Sequence, residues 1–318
     1  LRRLKIFLAS MIAALAATAC LSGPAAAAVT GADPCENTVA PAQYSHVLVW
    51  ELENHSFTVS RGHMPYLDKV ANRCAYYADG HFKALFHPSL PNYIAQTSGS
   101  NWGITDDSNP SAHPLNHPSI FTQLGDQAHS YMQSMPSNCV LSNSGLYAVR
   151  HNPATYYTYL NSRTLCQAND QPYSALQTAL NNSDVSFPSF AWVTPDVCHD
   201  AHGNKNKCPA AKDPAVADAY LQTELPKIIN SPVYQSGTMI IFVTWDEGGG
   251  GGDGQNIYTV AIAPNLGIVG TGGGVVVSGP VFNHYSLLKY TENQLGVGAL
   301  TPEPSSAYTS APDLVVPS

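Results

Sequence analysis

The chain has 318 residues, a net charge of -8 with histidine neutral, and only 11% charged residues. That acidity, with no Lys/Arg cluster to interrupt it, excludes phosphate-backbone binding as the basis of function, so no nucleic-acid partner is expected. Past the N-terminal stretch no segment is apolar for long enough to form a transmembrane segment.

Leu1 to Phe7 carries Arg2, Arg3 and Lys5, an apolar run follows to about Leu21, and Pro24 leads into Ala25–Ala28. A positive start, a short apolar core and a small-residue exit describe a secretory signal peptide over 1–28, leaving a single domain over 29–318 and a secreted product. Reading Cys20 as a lipid-attachment site is weaker, because Ala17-Thr18-Ala19 lacks the leucine such sites carry. Without the three cations of this stretch the net charge falls to about -11.

The remaining cysteines, Cys35, Cys74, Cys139, Cys166, Cys198 and Cys208, are even in number and contain no C-x-x-C pair. In an exported chain this implies disulfides rather than metal ligation. Six cysteines allow 15 pairings; order along the chain favours 35–74, 139–166 and 198–208.

In chain order, strands are predicted at His46–Trp50, Ser189–Thr194, Thr238–Trp245 and Ile257–Ala263. Helices are predicted at Pro65–Arg73, Pro91–Ser98, Ser119–Gln127, Tyr173–Asn181, Pro214–Ile229 (bent or ended by Pro226) and His284–Leu295. Asn101 to Pro118 is rich in Asn, Asp, Ser and Pro and reads as loop. Short apolar strands alternating with helices indicate an α/β fold, a three-layer α/β/α sandwich around a mostly parallel central sheet.

Three of these strands run directly into acidic residues: Trp50 into Glu51-Leu-Glu53-Asn54, Thr194 into Pro-Asp196, and Trp245 into Asp246-Glu247. Parallel strands would gather those carboxylates on the sheet edge where ligands bind. Like charges so gathered require protons or a cation, which makes a metal site the economical reading. The segment His87-Pro-Ser89-Leu-Pro91-Asn92, with Gly99 beyond it, places Ser89 at or just before a helix N-terminus. Unpaired N–H groups there favour an incoming phosphate, and a nearby metal would favour the serine alkoxide. Asn92 lies one turn along. His87, Asp106 and Asp107 are not assigned to the site. Gly248–Gly252 reads as a turn and not as a P-loop, since no Gly-Lys-Ser/Thr follows.

These blocks resemble a known family. Glu53-Asn54-His-Ser-Phe57, Ser89-Leu-Pro-Asn92 with Thr97-Ser-Gly99, Thr194-Pro-Asp196-Val-Cys-His-Asp200-Ala-His202, Trp245-Asp246-Glu247-Gly-Gly249 and Asn283-His284-Tyr-Ser-Leu-Leu288 resemble, in order, the motifs of the bacterial phosphoesterase family of phospholipases C and acid phosphatases. That family lies within the alkaline phosphatase superfamily. The resemblance runs from about Cys35 to Val297. It implies an alkaline-phosphatase-like fold, Ser89 as a nucleophile forming a phosphoserine, and Glu53, Asn54, Ser89, Asp246 and Glu247 around a divalent ion. It implies that Asn92 steadies the transferred oxygens. Asp196, Asp200, His202 and His284 would form the other half-site, which holds a second metal or binds phosphate and protonates the leaving group. The sequence departs from the two-metal pattern, with Asp-Glu where many relatives have Asp-His and Asp200 where many have His. One ion per chain, Ca²⁺, Mg²⁺ or Mn²⁺ in preference to Zn²⁺, is therefore expected.

The substrate implied is a small phosphate ester or a phospholipid, and nothing in the pattern specifies an oligomeric state. The short extent of chain after the late histidine block favours an acid-phosphatase-like phosphomonoesterase over a phospholipase-C-like phosphodiesterase. A non-catalytic secreted binder of the same fold would be expected to have lost one of the acidic residues or Ser89. A Ser-His-Asp esterase would need a G-x-S-x-G elbow, which is missing.

Overall fold

The computed structural model describes residues 34–35, 41, 43–182, 186–249, 255–267, 273–300 and 304–317. The expected leader over 1–28, and the part of the glycine run from Gly250 to Gly254, lie outside the described residues.

Among the described residues ten strands are seen: β1 (His46–Leu52), β2 (Ala75–Tyr77), β3 (Phe82–Lys83), β4 (Ala128–Met132), β5 (Asp170–Pro172), β6 (Phe190–Thr194), β7 (Met239–Trp245), β8 (Val260–Ile262), β9 (Val275–Val277) and β10 (Phe282–Asn283). Eight form the central sheet in the order β5-β4-β6-β1-β7-β8-β2-β9, and β3 pairs with β10 in a small second sheet. From β5 through β7 every pairing is parallel, while β8 runs antiparallel to both β7 and β2. The architecture is the expected three-layer α/β/α sandwich.

The central strands carry the longest apolar runs because they are covered on both faces. Every residue of β1, β6 and β7 is buried. Each apolar side chain removed from water there contributes about 1.5–3 kcal/mol, offset by the entropy of ordering the chain. The short strands β2, β4, β5 and β9 escaped the sequence reading. Three or five residues such as Ala128–Met132, with a histidine and a serine among them, give too little periodicity to register.

The predicted helices form with small boundary shifts, and the short helices Phe57–Ser60, Ser162–Asn169, Pro232–Gln235 and Ser306–Ser310 add to them without a periodic signal in the sequence. Pro214–Ile229 starts where Asp213 accepts from the Ala215 amide at 2.9 Å and proline occupies the first position. It runs through Pro226 to the expected end at Ile229, so Pro226 does not stop it; the missing N–H falls in the last turn, where little helix remains to be disrupted. Ser89–Ser98 starts two residues earlier than expected, is buried along its whole length, and ends at Gly99. All three disulfides pair in chain order, Cys35–Cys74, Cys139–Cys166 and Cys198–Cys208. Among the described residues, no helix is long and apolar enough to cross a membrane.

Candidate active site

The register of β1 explains where the acidic residues meet. Leu52 lies opposite Trp245 in β7, and the Asp246 amide continues the ladder by donating to the Leu52 carbonyl at 3.0 Å. Glu53 and Asp246 therefore leave the sheet side by side. On the other flank, β6 stops at Thr194 and the chain winds one turn, with the Asp200 amide donating to the Asp196 carbonyl at 2.9 Å. That turn carries Asp200, rather than Asp196, to β1: the Glu53 amide donates to the Asp200 carbonyl at 2.7 Å.

Ser89 opens its helix directly against this edge. Its Oγ lies 3.0 Å from Glu53 Oε2, to which it donates, and 3.3 Å from Asn54 Oδ1. Asn54 has a left-handed backbone, φ 57°, which asparagine tolerates well, and its amide donates to Asp246 Oδ1 at 2.9 Å. Gly249, also at positive φ, lets the following loop press on this turn. A Cβ on it would lie 2.6 Å from the Asn54 carbonyl oxygen. One helix turn beyond Ser89, the Tyr93 hydroxyl donates to Glu53 Oε1.

The second half of the site is built from loops. His151 Nδ1 donates to Asp200 Oδ2 at 3.1 Å, while its Nε2 sits 3.2 Å from Glu53 Oε1 without hydrogen-bond geometry. The Asp200 Oδ1 atom accepts from the His202 amide at 2.8 Å. His202 Nδ1 lies 2.8 Å from the Gly203 carbonyl, so it carries the proton, and Nε2 accepts from Arg150 at 3.0 Å. Between Asp200 and His202, buried Ala201 is held at φ 76°, a strained setting for a residue with a Cβ. One ligand atom each from Glu53, His151 and His202 falls within 4.8 Å of the others.

The electrostatics follow from burial. Burial pushes the Glu53 carboxyl well above its ordinary value, and the Asp200 charge adds to the effect. Asp246 is raised by burial and then by Glu53 and Glu247. Asp200 is raised by burial foremost. His151 is held well below its ordinary value by burial and by Arg150 and His202, so it is neutral. Its unprotonated Nε2 thus faces Glu53 Oε1 across 3.2 Å and has no hydrogen-bond partner among the described residues. Among the described residues, Asp246 Oδ2 likewise has no hydrogen-bond partner in its buried position. Such an arrangement is relieved by a proton or a cation. The oxygens of Glu53, Asn54, Ser89 and Asp246 form a donor set suited to a hard divalent ion, and the Glu53, His151 and His202 group offers a second candidate position.

Several expected site residues are placed differently. Asn92 is fully buried and spent on the preceding loop. Its Oδ1 accepts from the Leu85 and Phe86 amides, and its Nδ2 donates to the Phe86 and Pro88 carbonyls, leaving no donor for a transferred oxygen. Asp196 caps its own turn, with its oxygens taken by Ser134, the Cys198 amide and His199. His284 stands behind Asp246, donating from Nε2 to its backbone carbonyl at 2.7 Å, and burial lowers it to about 4. Glu247 is paired with His87 rather than turned toward Glu53.

Conversely, Arg150, His151 and Tyr93 were not anticipated. Tyr93 had a usable signal, since it lies four residues after Ser89 and so on the same helix face. The pair Arg150-His151 had none, because it reaches the site on a short turn, Val149–His151, outside any motif. Asp107, also left unassigned, accepts from the Leu90 amide at 3.0 Å and so covers the N-terminus of the Ser89 helix. The second group with metal-ligand spacing, Cys139, Cys166 and Asp170, is closed to metal by the disulfide.

Comparisons with known proteins agree with this chemistry. Residues 59–298 match the Phosphoesterase family. A phosphatidylinositol-3-phosphatase of Mycobacterium tuberculosis is 26% identical over 245 residues, covering 74% of this chain and 75% of that protein. An acid phosphatase of Aspergillus fumigatus is 24% identical over 192 residues, covering 57% of this chain and 40% of that protein. The crystal structure of a protein in the alkaline phosphatase superfamily from Vibrio parahaemolyticus superposes with a TM-score of 0.54 at 12% identity, covering 83% of this chain and 69% of that one. A buried serine at the start of a helix, set against carboxylates at the ends of parallel strands, is what such a hydrolase requires, and the chain belongs to the Phosphoesterase family as a phosphoric ester hydrolase.

Proposed function

We propose that this protein is a secreted, metal-dependent phosphomonoesterase, one catalytic domain acting through a phosphoserine at Ser89. The observation that carries the reading is the position of the Ser89 Oγ, 3.0 Å from Glu53 and 3.3 Å from Asn54 Oδ1, beside the unpartnered Asp246 Oδ2. Glu53, Asn54 and Asp246 would hold the ion, with Glu247 joining if it releases His87. A bound divalent ion supplies charge neutralisation and a lowered serine pKa. Ser89 gives up its hydroxyl proton and attacks phosphorus, the bond to the leaving oxygen breaks and that oxygen takes a proton from solvent, and water later displaces phosphate from Ser89. Arg150 meets the charge on the phosphoryl oxygens. Neutral His202 takes the proton of the attacking water on Nε2, once Arg150 turns from it to the phosphate. The two curated relatives named above are both phosphomonoester hydrolases by name, which supports the monoester over the diester reading. The three disulfides support export.

The test is a parallel assay of p-nitrophenyl phosphate and bis-p-nitrophenyl phosphate with wild type and Ser89→Ala, before and after chelation and metal add-back. Expected is monoester turnover that falls at least about a thousandfold in the variant and is lost and restored with the ion. Preference for the diester would assign a phospholipase-C-like activity instead. Turnover indifferent to Ser89→Ala would remove the serine mechanism.

A further inference from the structure

A cavity of about 440 Å³ opens beside the site, lined by His202, Gly203, Asn204, Lys205, Asn206, Pro209 and Lys212. His202 is common to both spaces: its ring also stands within 4.8 Å of the Glu53 and His151 ligand atoms. The loop that forms the cavity is rigidly made. The Cys198–Cys208 disulfide closes it, and Asn204 and Cys208 pair across it. Gly203, at φ +72°, packs so closely that a Cβ would lie 2.8 Å from the Lys212 amide nitrogen. That contact sets the Lys212 backbone against Gly203, the residue that follows His202.

The charge of this cavity is the reverse of the chain's. Of 14 Lys and Arg residues, three are in the expected leader and three more, Lys205, Lys207 and Lys212, fall within eight positions here. Lys207 is occupied, donating to the Gly145 carbonyl at 2.8 Å. Lys205 and Lys212 make no ion pair among the described residues. The adjacent acid, Asp213, is turned away to cap the following helix at the Ala215 amide. Two unpaired ammonium groups at a concave wall, next to a phosphate-ester reaction centre, attract a second anion held at fixed distance from the first.

We propose that this cavity is a subsite for a second phosphate on the substrate, so that the preferred substrate class is a phosphomonoester bearing another phosphate group. This rests on the phosphatase reading above. His202 separates the two anions: the scissile phosphate lies on its Ser89 side and the second phosphate on its Lys205 and Lys212 side.

The matched pair fructose 6-phosphate and fructose 1,6-bisphosphate tests it, with the readout being the ratio of kcat/KM for the bisphosphate to that for the monophosphate. In wild type the ratio should exceed about fivefold and should fall as salt is added. In Lys205→Ala/Lys212→Ala it should collapse toward one, while Lys227→Ala, whose lysine pairs with Glu224 on another face, should retain it. The salt series on wild type reports even if the double variant folds poorly. A wild-type ratio near one, or a double variant that keeps the wild-type ratio, overturns the subsite. If instead the lysines serve an anionic lipid surface, the double variant loses binding to phosphatidylserine vesicles and the fructose pair is not discriminated, which also overturns it. Failure of the phosphatase reading looks different: neither sugar phosphate is turned over, or turnover survives Ser89→Ala.

Discussion

The two halves of the site are made by different means. Glu53, Asn54 and Asp246 are continuations of β1 and β7, and Ser89 starts a fully buried helix laid across their ends. Asp200, His151, His202 and Arg150 come from turns and loops, held by hydrogen bonds to one another, by the Cys198–Cys208 disulfide and by a strained Ala201. In the first half, sheet register dictates position to within a residue. In the second, the winding of a single turn after β6 decides which aspartate arrives. Sheet-built positions suit an ion and a nucleophile, whose geometry tolerates little error. Loop-built positions suit substrate recognition and proton handling, and can vary with the ester hydrolysed.

Asp246→Asn offers the largest expected effect on this contrast. If Asp246 holds the proposed ion, ion affinity measured by calorimetric titration should fall by about tenfold or more, and kcat/KM by about a hundredfold. His151→Gln should act differently, lowering kcat by about tenfold while leaving ion affinity within about twofold, because it breaks the contact that orients Asp200 and leaves the Asp246 side intact. The reverse pattern would move the ion to the Glu53, His151 and His202 group. Asp196→Asn sharpens the same comparison. If Asp196 serves only its own turn, the variant loses a few degrees of melting temperature with little change in kcat; a large loss of kcat would restore it to the site.

The smallest effect concerns stability against pH at the edge of the loop-built half. Asp170, buried beside the Cys139–Cys166 disulfide, is raised from 3.8 to about 8, chiefly by burial and against the Asn152 hydrogen bond. A carboxyl raised on folding favours the folded state most below its unfolded value and loses that advantage as pH climbs through the folded one. Wild type should therefore lose on the order of 1–3 kcal/mol between about pH 4 and pH 8 relative to Asp170→Asn. Thermal melts of both proteins across that range check the slope; parallel curves would show that Asp170 is ionised in the fold.

Much of the sheet-built half could be read in advance because its signals are local. A run such as Thr238–Trp245 can only be a covered strand, and residues that follow a parallel strand must emerge at its carboxyl end. Ser89 was legible for a similar reason, with Pro91 and Gly99 marking its helix. Asn92, Asp196 and His284 show the limit of that logic. Each carries a side chain able to serve the site, and each is drawn instead to a nearer backbone group that would otherwise be buried unpaired. Arg150 and His151 show the converse, reaching Asp200 and His202 across about fifty residues of chain.

Covered strands, helix starts and the even set of cysteines are properties of neighbouring residues, and the amino-acid order alone determined them, along with the family and the class of ester bond cleaved. Which carboxylates lose water together, which histidine tautomer faces Glu53, and that Lys205 and Lys212 line one cavity with His202 were decided only by the tertiary structure. Desolvation and hydrogen-bond competition depend on every group packed around a site, and no short stretch of sequence contains them all.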